Sequence, residues 1–169
     1  MLRPALFLDR DGVINVDRGY VHRWEDFQWI DGAKEAIGAF NRAGWLVFVV
    51  TNQSGVGRGY YTEGDMHALH DRMVEDLARS GGRIDAIYFA PQHPEAPLEA
   101  YRHPDPPDRK PNPGMLLKAF AEWPVDRERS IMVGDKPADL EAALRAGIRG
   151  LLFEGGNLAE FLEAQAVLA

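Results

Sequence analysis

Residues 7–15 read FLDRDGVIN, an apolar run that stops at two aspartates, Asp9 and Asp11, with Gly12 directly behind them. Asp and Gly are ordinary turn residues, so a polar turn closing a strand would explain the stretch locally. Two carboxylates ~4 Å apart, however, repel by about 1 kcal/mol in water and roughly 4 kcal/mol at an effective dielectric of 20. Arg10 is the one cation beside them. The alternative is an anionic site built to hold a metal. What the chain places after its other strands decides between the two.

Five short apolar runs stand out: 5–8, 45–50, 86–90, 130–133 and 150–153. They are continuous rather than alternating, and WLVFVVT is rich in β-branched and aromatic residues, the pattern of strands buried on both faces of a parallel sheet. Helical patterns lie between them. Residues 31–43 put Ala33, Ala36, Ile37 and Phe40 on one face and stop at Gly44. Thr62-Glu63-Gly64-Asp65 reads as a capping box opening a helix with a Met66, Leu69, Met73, Leu77 stripe, which is core. Residues 113–122, 138–146 and 158–166 complete the set. Strands alternating with helices predict βαβ units: a three-layer, doubly wound, Rossmann-like α/β sheet in a single domain spanning 1–169. In such folds ligands gather beyond the carboxyl ends of the strands.

Composition narrows the function. The 169 residues are 46% hydrophobic and 27% charged, an ordinary globular balance, with a formal net charge of −7. That balance argues against nucleic-acid binding, which draws on Lys and Arg to neutralise phosphates. No run approaches the ~20 apolar residues of a membrane span, and the N-terminal apolar run is too short for a signal peptide, so the expectation is a cytoplasmic protein, and a monomer. Cysteine is absent, which excludes disulfides and thiolate-bound metals.

The strand ends carry the chemistry. After the first strand come Asp9 and Asp11, after the second Thr51-Asn52-Gln53-Ser54-Gly55, and after the fourth Gly134-Asp135-Lys136-Pro137-Ala138-Asp139. Arg109-Lys110-Pro111 precedes the next helix. Clustered carboxylates call for a hard divalent cation, and Mg2+ fits because it binds through one or two carboxylates plus substrate phosphate. Thr51 and Asn52 supply a hydroxyl, an amide and backbone N–H donors for a phosphate, and Lys110 a compact positive charge. Phosphoryl transfer needs in-line positioning and charge stabilisation above all. One Asp can attack phosphorus while the other, two residues away, moves the proton.

The pieces FLDRDGV, VVTNQSG, RKPNPGM and MVGDKPAD, in that order, resemble the haloacid dehalogenase (HAD) superfamily of phosphohydrolases. The resemblance implies Asp9 as nucleophile, Asp11 as acid/base, Thr51 as phosphate binder and Lys110 as the stabilising lysine. It places Mg2+ on Asp9, Asp135 and the backbone carbonyl of Asp11, with Asp139 and Lys136 in support. FLDRDGVIN, GYVHRWEDFQWIDGA, TNQSGVGRGYYTEGDM, PQHPEA and RKPNPGML further resemble the branch containing D,D-heptose 1,7-bisphosphate phosphatase and histidinol-phosphate phosphatase. Members of that branch have no large cap domain. The resemblance thus implies a small phosphorylated substrate: heptose 1,7-bisphosphate losing its 7-phosphate, or alternatively histidinol phosphate. A phosphotransferase or nucleic-acid 3′-phosphatase fits the acidic balance less well, and a silent binding module would have lost a motif residue.

The chain departs from the branch in the loop FAPQHPEAPLEAYRHPDPPDRKP, where members typically carry a zinc clamp of cysteines and a histidine. His93 stands there without cysteines. Zinc is therefore not expected, although His93, His103, Asp105 and Asp108 are the residues that could contribute to such a site. Proline stiffening is expected to order the loop instead. Arg58 and Arg109 are candidates for a distal anion of the substrate, joining Asn52 and Lys136 as substrate-binding residues. Gly55–Gly59 reads as a flexible rim loop, Tyr20, His22 and Trp24 as possible wall, and His67 and His70 as helix residues without a chemical role.

Overall fold

The computed structural model describes residues 1–168. Five parallel strands, β1 (Ala5–Leu8), β2 (Leu46–Asn52), β3 (Ala86–Ala90), β4 (Ile131–Gly134) and β5 (Arg149–Leu152), lie in the order β3-β2-β1-β4-β5. Six helices join and cover them: α1 (Ala33–Arg42), α2 (Ser54–Gly57), α3 (Glu63–Ala78), α4 (Gly114–Glu122), α5 (Pro137–Ala146) and α6 (Leu158–Ala164). The three-layer doubly wound expectation holds. All four residues of β1 are fully buried because its two faces feed different cores. Leu6 and Leu8, with Val47, Val49 and Val133, face α1, α3 and α6 through Ile37, Met73 and Leu162. Ala5 and Phe7, with Phe48 and Met132, face α4 and α5 through Leu116 and Ala143. This two-sided burial is why these strands read as continuous apolar runs.

Local signals set the helix ends. Thr62 Oγ1 accepts from the Asp65 N–H while Asp65 accepts from the Thr62 N–H, forming the expected capping box of α3. Between Asp11 and α1 the regular structure is one 3-10 turn, Trp24–Asp26, with no cap domain among the described residues. Two expectations change. β2 runs past Val50 through Asn52, because Thr51 and Asn52 stay in register with Phe89 and Ala90 of β3. The Gly55–Gly59 segment is not an irregular loop, and its Arg58 lines a cavity. It contains the turn α2, whose Gly55, Val56 and Gly57 are buried, and a Cβ on Gly57 would lie 2.7 Å from the Pro91 carbonyl oxygen.

Candidate active site

The first link is Asp9, whose N–H still pairs with the Val133 carbonyl (3.1 Å) as β1 leaves the sheet. The chain then reverses: the Arg10 carbonyl accepts from the N–H groups of Val13, Ile14 and Asn15, and Gly12 takes φ +92°. Only glycine fits there, because a Cβ would lie 2.1 Å from Asp135 Oδ2. The turn thus brings the end of β1 against the loop after β4.

Lys110 is 3% exposed and reaches Asp9 across the sheet edge. Its ammonium donates to Asp9 Oδ1 (2.8 Å), Asp139 Oδ1 (2.7 Å) and the Val50 carbonyl (2.8 Å), so all three of its donors are satisfied. Burial alone would lower the Lys110 pKa, but Asp9 and Asp139 outweigh it and hold it above the ordinary lysine value. Burial pushes Asp9 up to about 8 against the pull of Lys110, with Asp139 adding to the rise. Asp135 is also raised, again chiefly by burial. An ammonium held between two carboxylates favours the ionised form of the Lys110–Asp9 pair. The cluster of Asp9, Asp135 and Asp139 thus holds more carboxylates than the single ammonium can offset.

A divalent cation is the natural complement of that excess. Oxygens of Asp9, Asp135 and Asp139 lie within 4.8 Å of one another, and Asp135 Oδ1 is buried without a hydrogen-bond partner. The donors are all hard oxygens, which suits Mg2+. Asp139 is already engaged: beyond Lys110, its Oδ2 accepts from the N–H groups of Asp135 and Lys136 at the start of α5. It supports the cluster, while Asp9 and Asp135 keep capacity for a metal. The Asp11 carboxylate lies outside this group.

Asp11 is instead gripped by hydrogen bonds. Its Oδ1 accepts from Arg10 Nη2 (2.9 Å) and Asn15 Nδ2 (3.0 Å), and its Oδ2 from Gln53 Nε2 (3.3 Å). Gln53 also donates to Thr51 Oγ1 (2.8 Å) and accepts from the Tyr61 hydroxyl. Thr51 is thereby fully buried beneath Gln53. The expected phosphate-binding hydroxyl sits at the site but is covered by a residue that sequence reasoning did not assign. Asn52 pins the lysine loop: its Oδ1 accepts from the Lys110 N–H (3.0 Å) and its Nδ2 donates to the Lys110 carbonyl (3.1 Å). Its amide therefore positions Lys110 first, with one N–H left for substrate.

Asp9, Asp11, Asn52, Arg58, Arg109, Lys110 and Lys136 all line one cavity of about 430 Å³, with Tyr20 and Tyr61 in its wall. Lys136 is a largely exposed rim residue near Asp17. Arg58 Nε and Arg109 Nη1 are buried without partners, and neither arginine pairs with a carboxylate among the described residues. Burial first, then the charge of Arg58, lowers the Arg109 pKa. Of the other wall candidates, His22 stacks on Tyr61 and Trp24 on Phe27, so Trp24 serves packing. The proline-rich loop is ordered by its own contacts. His93 Nδ1 accepts from the Glu95 N–H, His103 Nδ1 from the Asp105 N–H, and Arg102 Nε donates to the Ala96 carbonyl.

His70 lies on α3, as expected, on its buried face. It is 4% exposed, and its Nε2 lies 3.1 Å from Nη1 of the fully buried Arg10. Burial, then the adjacent guanidinium, lowers its pKa to about 3. The signal for it was the 66, 70, 73, 77 inward stripe of α3, which places residue 70 on the buried face.

The curated relatives match most of this chain. One is the D-glycero-beta-D-manno-heptose-1,7-bisphosphate 7-phosphatase of Rhodopseudomonas palustris, 48% identical over 165 residues, covering 95% of this chain and 89% of the relative. The chain belongs to the heptose-1,7-bisphosphate 7-phosphatase family of HAD-like hydrolases. A HAD-hydrolase-like family model matches residues 108–166, which include Lys110, Asp135 and Asp139. Among solved structures, a putative HAD-like phosphatase from Mesorhizobium loti superposes with a TM-score of 0.90 at 39% identity, covering 99% of this chain and 85% of that one. A D,D-heptose 1,7-bisphosphate phosphatase from B. bronchiseptica, complexed with magnesium and phosphate, superposes at 0.80 with 34% identity, covering 95% and 86%.

Proposed function

We propose that this protein is a Mg2+-dependent phosphatase that removes the 7-phosphate of D-glycero-D-manno-heptose 1,7-bisphosphate. The observation that carries the substrate reading is the pair Arg58 and Arg109, two cations without a carboxylate partner among the described residues, lining the same cavity as Asp9. One phosphate meets the carboxylate–lysine cluster, and the other meets the arginines. Histidinol phosphate carries an ammonium and an imidazole and offers the arginines no second anion. The same reading takes the protein as a monomeric, single-domain enzyme acting on a small cytoplasmic metabolite.

In this reading Lys110 holds Asp9 Oδ1 and leaves Oδ2 to attack phosphorus. The P–O bond to the sugar breaks as Asp11 gives its proton to the leaving C7 alkoxide. Asp11, now ionised, takes a proton from water, which attacks the aspartyl-phosphate and releases inorganic phosphate with Asp9 restored. Lys110 offsets charge on Asp9 throughout, and Asn52 keeps Lys110 in place. Asp9, Asp135 and the Asp11 carbonyl would hold Mg2+, which supplies charge stabilisation to the transferring phosphoryl group.

The test is phosphate release from heptose 1,7-bisphosphate, histidinol phosphate and simple sugar monophosphates. The bisphosphate should have the highest kcat/KM, with no release after chelation of Mg2+ and none from Asp9→Asn. Turnover by Asp9→Asn would overturn the nucleophile, and preference for histidinol phosphate would overturn the substrate.

A further inference from the structure

Arg10 is a cation with no exposed surface, and His70 is a neutral imidazole with almost none, yet neither faces the cavity. A buried guanidinium needs acceptors for its donors and a counter-charge close by. Nη2 donates to Asp11 Oδ1 (2.9 Å) and to the Val21 carbonyl (2.6 Å), and Nη1 meets His70 Nε2 (3.1 Å), leaving Nε unpartnered. Since Arg10 can only donate, His70 must accept, which requires the neutral Nδ1–H tautomer. His70 is carried by α3, a helix fixed by its capping box, so its acceptor is a stationary post. The resulting chain runs from α3 through Arg10 to one oxygen of Asp11.

The consequence concerns which oxygen of Asp11 does the chemistry. Arg10 and Asn15 both donate to Oδ1, so Oδ1 cannot carry a proton toward them. Oδ2 has only the 3.3 Å contact from Gln53 and is left to hold and deliver the proton. We infer that His70 and Arg10 are positioning residues that lock Asp11 Oδ1 and thereby aim Oδ2 at the leaving group. This inference rests on the reading of Asp11 as the proton donor.

A test follows from leaving-group chemistry. An alkyl phosphate such as glycerol phosphate expels a strongly basic alkoxide and needs the proton, whereas p-nitrophenyl phosphate expels a stable phenolate and does not. kcat/KM reports steps only up to leaving-group departure, so later hydrolysis of the aspartyl-phosphate does not enter. In His70→Leu and Arg10→Lys, kcat/KM should fall about tenfold more for the alkyl than for the aryl ester, a fraction of the 10²–10⁴ a general acid contributes. His70→Gln, whose amide oxygen can accept from Arg10, should restore most of the alkyl activity. Arg10→Lys keeps the charge and carries the test if His70→Leu does not fold. Asp11→Asn separates the two levels. If it shows no alkyl-specific loss, the proton-donor reading fails and the positioning inference with it. If it shows that loss while His70→Leu and Arg10→Lys slow both esters equally, or neither, the positioning inference alone is refuted.

Discussion

Replacing His70 by Gln should change how stability depends on pH. In the unfolded chain a histidine binds a proton with a pKa near 6.5, whereas in the fold burial and Arg10 lower His70 to about 3. The folded state therefore binds fewer protons between these values, and stability is lost as pH falls below 6.5. At pH 5 the unfolded imidazole is almost fully protonated and the folded one almost fully neutral. The protonation advantage of the unfolded state is then about 2 kcal/mol, against a few tenths at pH 7. Gln can accept the same Arg10 hydrogen bond and cannot titrate. Urea unfolding of both proteins at pH 7 and pH 5 should thus show the wild type losing about 2 kcal/mol more than His70→Gln over that interval. All other titrating groups are common to both and cancel in the difference. Equal losses in the two proteins would mean that His70 charges within the fold and is not the acceptor for Arg10.

Two further predictions concern the frame of the site. Gly12→Ala forces a side chain into φ +92° and against Asp135 Oδ2, 2.1 Å from where its Cβ would lie, so Asp135 must move. The expected result is a loss of about 1–3 kcal/mol in stability and at least a roughly tenfold higher Mg2+ concentration for half-maximal phosphate release. Asn52→Ala removes both hydrogen bonds that pin the Lys110 backbone. It should cost about 1–3 kcal/mol in thermal or urea unfolding and lower kcat about tenfold, with a smaller change in KM.

Much of the fold is legible along the chain. Buried parallel strands have no solvent face, so β1 and the first residues of β2 appear as unbroken apolar runs, and Thr62 with Asp65 marks the start of α3 within four residues. The less visible boundaries have local causes. Thr51 and Asn52 extend β2 because β3 lies alongside, and α2 forms because Gly57 can pass the Pro91 carbonyl. Neither neighbour is close in sequence.

The candidate site divides the same way. Asp9, Asp11, Lys110 and Asp135 are legible because each charged residue directly follows a strand or precedes a helix, where a parallel sheet gathers its ligands. Sequence by itself determined the chemical groups and the edge of the sheet to which they go. Tertiary structure alone decided their partners: Asn52 on Lys110, Gln53 over Thr51, and His70 behind Arg10, sixty positions along the chain. Polar groups carried into the interior must find partners wherever the packing brings them. Those partners are set by the distance between elements, which no local pattern encodes.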